Sequence, residues 1–180
     1  TISVSDVDEI SPSITGPSGN AGDSSSSKSI NENTTAIHTF TANESVTWSL
    51  NGGADASKFS INSSTGALTF SSAPDYESPT DSDSDNDYVV IVRATDSATN
   101  TSDQTLTVSV SDVDDTSPSI TGPSGSAGDS TSSTSINENT TEIHTFSANE
   151  SVTWSLNGGA DASKFSINSS TGALTFSSAP

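Results

Sequence analysis

The acidic side chains of this 180-residue chain are concentrated in a few short segments. Six of them lie between positions 75 and 87, and three more lie just ahead of Pro118, at Asp112, Asp114 and Asp115. Carboxylates this close repel one another, so they are usually solvated, disordered or gathered around a cation. Oxygen ligands with no His or Cys nearby select a hard cation, which favours Ca²⁺ over Mg²⁺ or Zn²⁺.

The densest acidic segment, DSDSDND at positions 81–87, resembles the first half of an EF-hand calcium loop. Asp81, Asp83 and Asp85 take the alternate ligand positions, and the Asn at the sixth place tolerates a left-handed backbone. The twelfth place, where that loop needs a bidentate Glu, is Val92 in a predicted strand. We therefore expect no true EF-hand. Two interpretations stay open: a calcium-organised loop that takes ligands from elsewhere, and a solvated acidic loop.

The chain repeats itself with a period of 106 residues. Residues 1–74 match residues 107–180 at all but eight positions, which indicates one whole domain per period and a recent duplication. If a domain opens after each acidic linker, residues 1–10 are the last strand and linker of a preceding repeat. Residues 11–117 are then a complete repeat, and 118–180 are the truncated start of the next. Near-identical neighbours predict that the parent protein is a long array.

Apolar and polar residues alternate with a period of two in several segments rich in Thr, Val, Ile and aromatic residues. The longest are 88–94 and 106–110, and turn sequences such as Asn-Gly-Gly separate the segments. About seven short strands per repeat predict an all-β fold, a seven-stranded antiparallel sandwich. The Ser/Gly-rich segment 16–29 is predicted to be flexible. The predicted core is Phe40, Val46, Trp48, Leu50, Phe59, Ile61, Leu68, Phe70, Val90, Val92, Leu106 and Val108.

Composition argues against several classes of partner. The net charge is −19, with 23 acidic and 4 basic residues, whereas nucleic acids and anionic membranes need positive charge. No apolar run approaches the roughly 20 residues that span a bilayer, so membrane insertion is not expected.

Catalysis also lacks support. Paired carboxylates can form a glycosidase couple, but here they recur in each copy at a domain joint, which suits a ligand cage better. No G-x-S-x-G segment occurs, and neither His38 nor His144 has another His or Cys near it in sequence. We predict no catalytic residues and no enzymatic activity.

Five stretches of the repeat, taken together, resemble the cadherin repeat in their order and wording. They are INEN, FTANESVTWSL, KFSINSSTGALTFSSAPDYE, DYVVIVRATD and TLTVSVSDVDDTSP. More narrowly, the PDYE…DNDY wording and the near-identical tandem copies resemble bacterial cadherin-like domains of large type I-secreted (RTX) surface adhesins. The resemblance implies Greek-key sandwiches joined end to end, with Ca²⁺ at each junction.

Carried over by position, the resemblance also implies the metal ligands. The junction that follows the complete repeat would use Glu32, Asp75 and Glu77 with Asp112, Asp114 and Asp115 of the linker. The preceding junction would use Asp6, Asp8 and Glu9 with Asp96, and Glu138 is the copy of Glu32 in the next repeat. The Asp-x-Asp pair of cadherins is replaced here by Asn43 and Glu44, so we expect one or two ions per junction rather than three.

The function implied is structural: a calcium-rigidified extender of an extracellular, cell-surface adhesin that holds a distal binding domain away from the cell. Its partners would be neighbouring repeats of the same chain, with self-association of arrays as a further option. Two alternatives stay open. One is a recognition module, homophilic or carbohydrate-binding, and the other is a laterally packing subunit of a surface filament or S-layer.

Overall fold

The computed structural model describes residue 2 and residues 8–180. The chain divides into two compact units, Thr1–Asp114 and Asp115–Pro180. The predicted ligand Asp6 lies outside the described residues. In the part of the chain that is described, no helix has the length and apolar character needed to cross a lipid bilayer.

The first unit is a β-sandwich. Its strands are β1 (Ile14–Thr15), β2 (Ser25–Asn31), β3 (Ala36–Thr39), β4 (Thr41–Ala42), β5 (Thr47–Leu50), β6 (Phe59–Ile61), β7 (Ala67–Phe70), β8 (Asp87–Thr95) and β9 (Thr101–Ser111). One sheet has the order β2-β9-β8-β5, the other has the order β3-β7-β6, and β1 pairs with β4. Only Phe40 separates β3 from β4, whereas residues 16–24 separate β1 from β2, which pair with different strands. The prediction of a wholly antiparallel sandwich was wrong for one pair, because β2 runs parallel to β9.

The core lies between the two sheets and follows the predicted alternation. In β8 every second residue is buried, beginning with Tyr88, and these side chains pack against buried residues of β9 and β7. Nine of the twelve predicted core residues are buried, whereas Val46, Leu50 and Ile61 are half-buried at the edge of the cluster. In the described part of the chain, five further apolar side chains are buried that were not among the predicted core residues: Ile14, Ile37, Tyr88, Ala94 and Val110.

The prediction that residues 16–29 are flexible was wrong for the end of that segment. Residues 25–31 form β2, which runs parallel to β9. Gln104 of β9 is fully buried and fixes the approach to β2: its Nε2 donates to the Asp23 carbonyl over 2.7 Å, and its Oε1 accepts from the Ser26 hydroxyl over 3.0 Å. The sequence of β2 has few apolar residues, so its strand conformation depends on these contacts with β9.

The second unit contains β10 (Ile120–Thr121), β11 (Glu142–Thr145), β12 (Ser147–Ala148), β13 (Phe165–Ile167) and β14 (Ala173–Phe176). They repeat β1, β3, β4, β6 and β7. The copies of β2 and β5, at 131–137 and 153–156, are not strands in this unit. In the first unit both of these strands pair with β8 or β9, which have no copy between residues 115 and 180. Burial differs accordingly between the two units: Ile14 is 2% exposed, whereas its copy Ile120 is 46% exposed.

Candidate metal centres

Among the described residues of the first unit, three clusters of carboxylates each bring three oxygens, one per residue, within 4.8 Å of one another. We name each after its buried member. The Glu32 cluster is Glu32, Asp75 and Glu77; the Asp96 cluster is Asp8, Glu44 and Asp96; the Asp81 cluster is Asp81, Asp83 and Asp85. In each cluster, one acid is buried or nearly so and the others are more exposed. All three consist of oxygen ligands only, which is the donor set of Ca²⁺.

The Glu32 cluster lies at the end of β2. The parallel ladder continues one residue beyond the strand, because the Glu32 N–H donates to the Ser111 carbonyl over 3.0 Å. Asn33 then adopts a left-handed conformation (φ 60°) and donates its N–H to the Pro74 carbonyl. This turn buries the Glu32 side chain, which is only 2% exposed.

The Glu32 carboxylate connects two separate segments of backbone. Its Oε2 accepts the N–H of Tyr76 over 2.7 Å, and its Oε1 accepts the N–H of Val113 over 2.8 Å. Tyr76 lies between Asp75 and Glu77 in the chain, and Val113 lies between Asp112 and Asp114. One buried acid therefore fixes both the acidic corner and the first acidic residues that follow β9.

The Asp96 cluster lies just after β8. Asp96 is 7% exposed, and its two oxygens accept the backbone N–H and the side-chain N–H of Asn100, each over 2.8 Å. Burial raises the pKa of Asp96, but these hydrogen bonds outweigh burial and hold the pKa below its ordinary value. The Asn100 side chain also donates to the Asp8 carbonyl over 3.0 Å, which brings Asp8 beside this carboxylate.

Of the two residues that replace the Asp-x-Asp pair, only Glu44 joins the Asp96 cluster. The Asn43 Oδ1 instead accepts the Ser13 N–H over 2.6 Å and so fastens β1 to β4. The second unit repeats this contact between Asn149 and Ser119, also over 2.6 Å.

The Asp81 cluster lies in the loop before β8. Asp81 is 6% exposed; its Oδ2 accepts the Asp85 N–H over 2.9 Å, and its buried Oδ1 has no hydrogen-bond partner among the residues that the structure describes. Asp85 in turn accepts the Asp87 N–H over 2.9 Å. Burial raises the pKa of Asp81, but backbone N–H donors that include Asp85 hold it below its ordinary value. The neighbouring charge of Asp85 raises the pKa of Asp83.

Asp55, which sequence analysis missed, holds this acidic loop in place. Asp55 is 3% exposed; its Oδ1 accepts the Ser82 N–H over 2.7 Å and its Oδ2 accepts the Val89 N–H over 2.8 Å. Gly53 permits the approach, because a Cβ at that position would lie 2.5 Å from the Val89 carbonyl oxygen. The local sequence does not predict the burial of Asp55, because Asp161 lies in an identical stretch of sequence and is exposed.

We expect Asp55→Ala to lower the free energy of unfolding of the first unit by about 2–4 kcal/mol, because two N–H groups beneath the loop lose a charged acceptor. Asp161→Ala is the matched control, with an expected effect below about 0.5 kcal/mol on the second unit. Amide hydrogen exchange measured by NMR separates the two units. Equal effects of the two substitutions would contradict this role of Asp55.

The remaining predicted ligands lie outside the three clusters. Glu9, Asp112, Asp114, Asp115 and Glu138 are all exposed. Asp112 and Asp114 nevertheless flank Val113, whose N–H is bound by Glu32. Their assignment as ligands stays a prediction.

Residues 25–111 match the family model described as the cadherin domain. The chain is similar to protocadherin gammaB7 EC3-6, solved as a cis-dimer, with 18% identity over 98% of this chain and 46% of that chain and a TM-score of 0.58. It is similar to the extracellular cadherin domains 3-6 of protocadherin gamma B2, with 20% identity, 98% and 45% coverage and a TM-score of 0.56. It is also similar to human protocadherin-24 EC1-2, with 16% identity over 94% of this chain and 78% of that chain and a TM-score of 0.55. No curated protein matches the sequence.

These similarities confirm the predicted all-β, cadherin-like fold. Because the sequence identities are this low, the structural matches show the fold alone. The chain spans less than half the length of the first two structures. Calcium binding is typical of cadherin domains, and the three clusters offer the oxygen ligands it requires.

Proposed function

We propose that this chain is a section of a calcium-rigidified extracellular stalk that holds a distal binding domain away from a bacterial cell. The observation that carries the proposal is the position of Glu32. Its buried carboxylate binds the backbone beside Asp75 and Glu77 and the backbone beside Asp112 and Asp114. A residue so placed couples the acidic corner of a repeat to the linker that leaves it.

The residues that would hold Ca²⁺ after the complete repeat are Glu32, Asp75 and Glu77, with Asp112, Asp114 and Asp115 from the linker. Those that would hold it before the repeat are Asp96, Glu44 and Asp8, with Asp6 and Glu9. Bound Ca²⁺ would supply positive charge that the chain lacks, since it has 23 acidic and only 4 basic residues. Without that charge, mutual repulsion among the acids favours a loose linker.

The repeats themselves favour a spacing role. Two copies that differ at eight of 74 aligned positions present nearly the same surface twice, whereas a set of recognition sites tends to diversify. Extracellular Ca²⁺ would keep such an array rigid outside the cell. The type I-secreted adhesin is the parent protein that this combination of cadherin-like repeats and recent duplication fits best.

The second candidate is self-association through the sides of the repeats. It is favoured by the match to a protocadherin whose structure is a cis-dimer. Sedimentation velocity of the chain in Ca²⁺ distinguishes the two: a monomer at all concentrations supports the stalk, and a concentration-dependent dimer supports association.

The stalk is tested by a distance measurement between the units. Because the chain has no Cys, spin labels can be attached at Ser60→Cys and Ser166→Cys, two equivalent exposed positions on β6 and β13. We expect pulsed electron paramagnetic resonance to give one narrow distribution of distances between the two labels in Ca²⁺ and a broad distribution in chelator. Adding Glu32→Gln should leave the distribution broad in both. A distribution that ignores Ca²⁺ would overturn the proposal.

A further inference from the structure

We propose a further Ca²⁺ site that lies wholly within one repeat, in the Asp81 cluster, and that does not depend on any linker. Its ligands would be the carboxylates of Asp81, Asp83 and Asp85. The site would fix the loop between β7 and β8 rather than join neighbouring repeats, so it is separate from the proposed stalk junctions.

The first observation is the buried carboxylate of Asp81. This side chain is 6% exposed, and its Oδ1 is buried without a hydrogen-bond partner in the described part of the chain. Buried polar atoms are almost always satisfied, and an exception of this kind is explained by an ion or water at the site. Oxygens of Asp83 and Asp85 lie within 4.8 Å of an Asp81 oxygen and of each other.

The second observation is the charge of the cluster. Asp81, Asp83 and Asp85 lie at alternate positions of one short loop, and no basic residue occurs between positions 75 and 87. Three carboxylates in this space are therefore unfavourable on their own, and a divalent cation would offset their repulsion.

The surrounding loop is already held in a fixed shape. Asp55 binds the backbone at Ser82, which lies between Asp81 and Asp83, and at Val89, which lies just after the loop in β8. Asn86 has a left-handed backbone (φ 66°), and its carbonyl accepts the Val110 N–H over 2.9 Å. A loop fixed at both ends needs little reorganisation to bind an ion.

The donor set selects the ion. Ca²⁺ accepts six to eight oxygens in irregular geometry, whereas Mg²⁺ requires a near-ideal octahedron and Zn²⁺ favours nitrogen and sulfur. Three carboxylates in one loop, with backbone carbonyls and water to complete the shell, suit Ca²⁺. The Asn86 Oδ1 is a second buried oxygen of this loop that has no hydrogen-bond partner within residue 2 and residues 8–180.

The alternative of a solvated acidic loop predicts a different response to Asp83→Asn. If the loop is only solvated, removing one of three repelling charges raises the melting temperature equally with and without Ca²⁺. If the loop binds Ca²⁺, the substitution raises the melting temperature in chelator but lowers it in Ca²⁺, because a ligand is lost. The sign of the change in melting temperature in Ca²⁺ decides between the two interpretations of the loop.

The experiment compares the 180-residue chain with its Asp83→Asn, Glu32→Gln and Asp161→Asn variants, by melting and by calorimetric titration with CaCl₂. We expect Asp83→Asn to bind one Ca²⁺ fewer than the parent chain, and Asp161→Asn, the charge-matched control, to bind the same number. Glu32→Gln should keep the loop binding step, which separates this proposal from the linker sites. In NMR titrations of the unsubstituted chain, the Asp85 and Asp87 amides should shift on that step.

An unchanged ion count in Asp83→Asn, with a melting temperature raised equally in Ca²⁺ and chelator, would overturn the loop site. Unshifted Asp85 and Asp87 amides in the unsubstituted chain would overturn it independently of any variant. Loss of linker binding in Glu32→Gln together with intact loop binding would leave both proposals standing.

Discussion

Glu32→Ala is expected to abolish the part of the Ca²⁺-dependent stabilisation of the first unit that arises at the Glu32 cluster, and to destabilise that unit even in chelator. The carboxylate accepts the N–H groups of Tyr76 and Val113 and is only 2% exposed. Its removal leaves both donors without their charged acceptor, which costs about 2–5 kcal/mol in chelator. In Ca²⁺ the loss should be larger, because the buried member of the Glu32 cluster is gone.

The repeat supplies the matched control for this prediction. Glu138 occupies the equivalent position in the second unit and is exposed. Glu138→Ala should therefore change the stability of its own unit by less than about 0.5 kcal/mol. Amide hydrogen exchange in β8 and in β14 reads the two units separately in one sample. If the two substitutions had the same effect, the contacts of Glu32 would not be the reason for its importance.

Glu32→Gln distinguishes charge from hydrogen bonding at the same position. The amide oxygen can still accept one backbone N–H, so the cost in chelator should be smaller than for Glu32→Ala. The part of the Ca²⁺ response that arises at the Glu32 cluster should be lost to a similar extent in both variants, because each removes the negative charge, while binding in the Asp81 cluster should remain. A Glu32→Gln variant with the full response to Ca²⁺ would remove this residue from the predicted ligand set.

The strands that the sequence predicted are those whose own side chains alternate. β8 is buried at every second position, and its hydrophobic pattern alone specifies which face points inward. β2 has the sequence SSSKSIN, which carries one apolar residue. Its conformation depends on a parallel ladder with β9 and on buried Gln104, both more than 70 positions away. Tertiary contacts of this kind leave no local pattern to read.

The candidate sites show the same division. The resemblance to the cadherin repeat implied Glu32, Asp75, Glu77 and Asp96 as ligands, and in the structure each of these residues lies in a carboxylate cluster. Spacing did not predict Asp55. Its copy Asp161 lies in an identical stretch of sequence and is exposed, so burial of Asp55 is set by the loop and strand that follow much later in the chain.

Phe70→Ala is expected to lower the free energy of unfolding of the first unit by about 3–5 kcal/mol. Phe70 is 3% exposed and stacks on Phe59 with ring centroids 4.8 Å apart. The Tyr88 ring packs edge-on against Phe70 at 5.0 Å, so truncation would open a cavity between the two sheets. Denaturant dependence of exchange at the β8 amides measures this loss.

The second unit shows how much of that effect depends on the facing sheet. Phe176 and Phe165 stack at the same 4.8 Å, but the unit has no copy of Tyr88 and Phe176 is only half-buried. Phe176→Ala should therefore cost about 1–2 kcal/mol at the β14 amides, in line with the smaller apolar area it removes from water. Equal losses would mean that the aromatic stack, rather than closure by β8, determines the stability of the sandwich. A loss at least twofold larger for Phe70→Ala would assign the difference to the sheet that carries Tyr88.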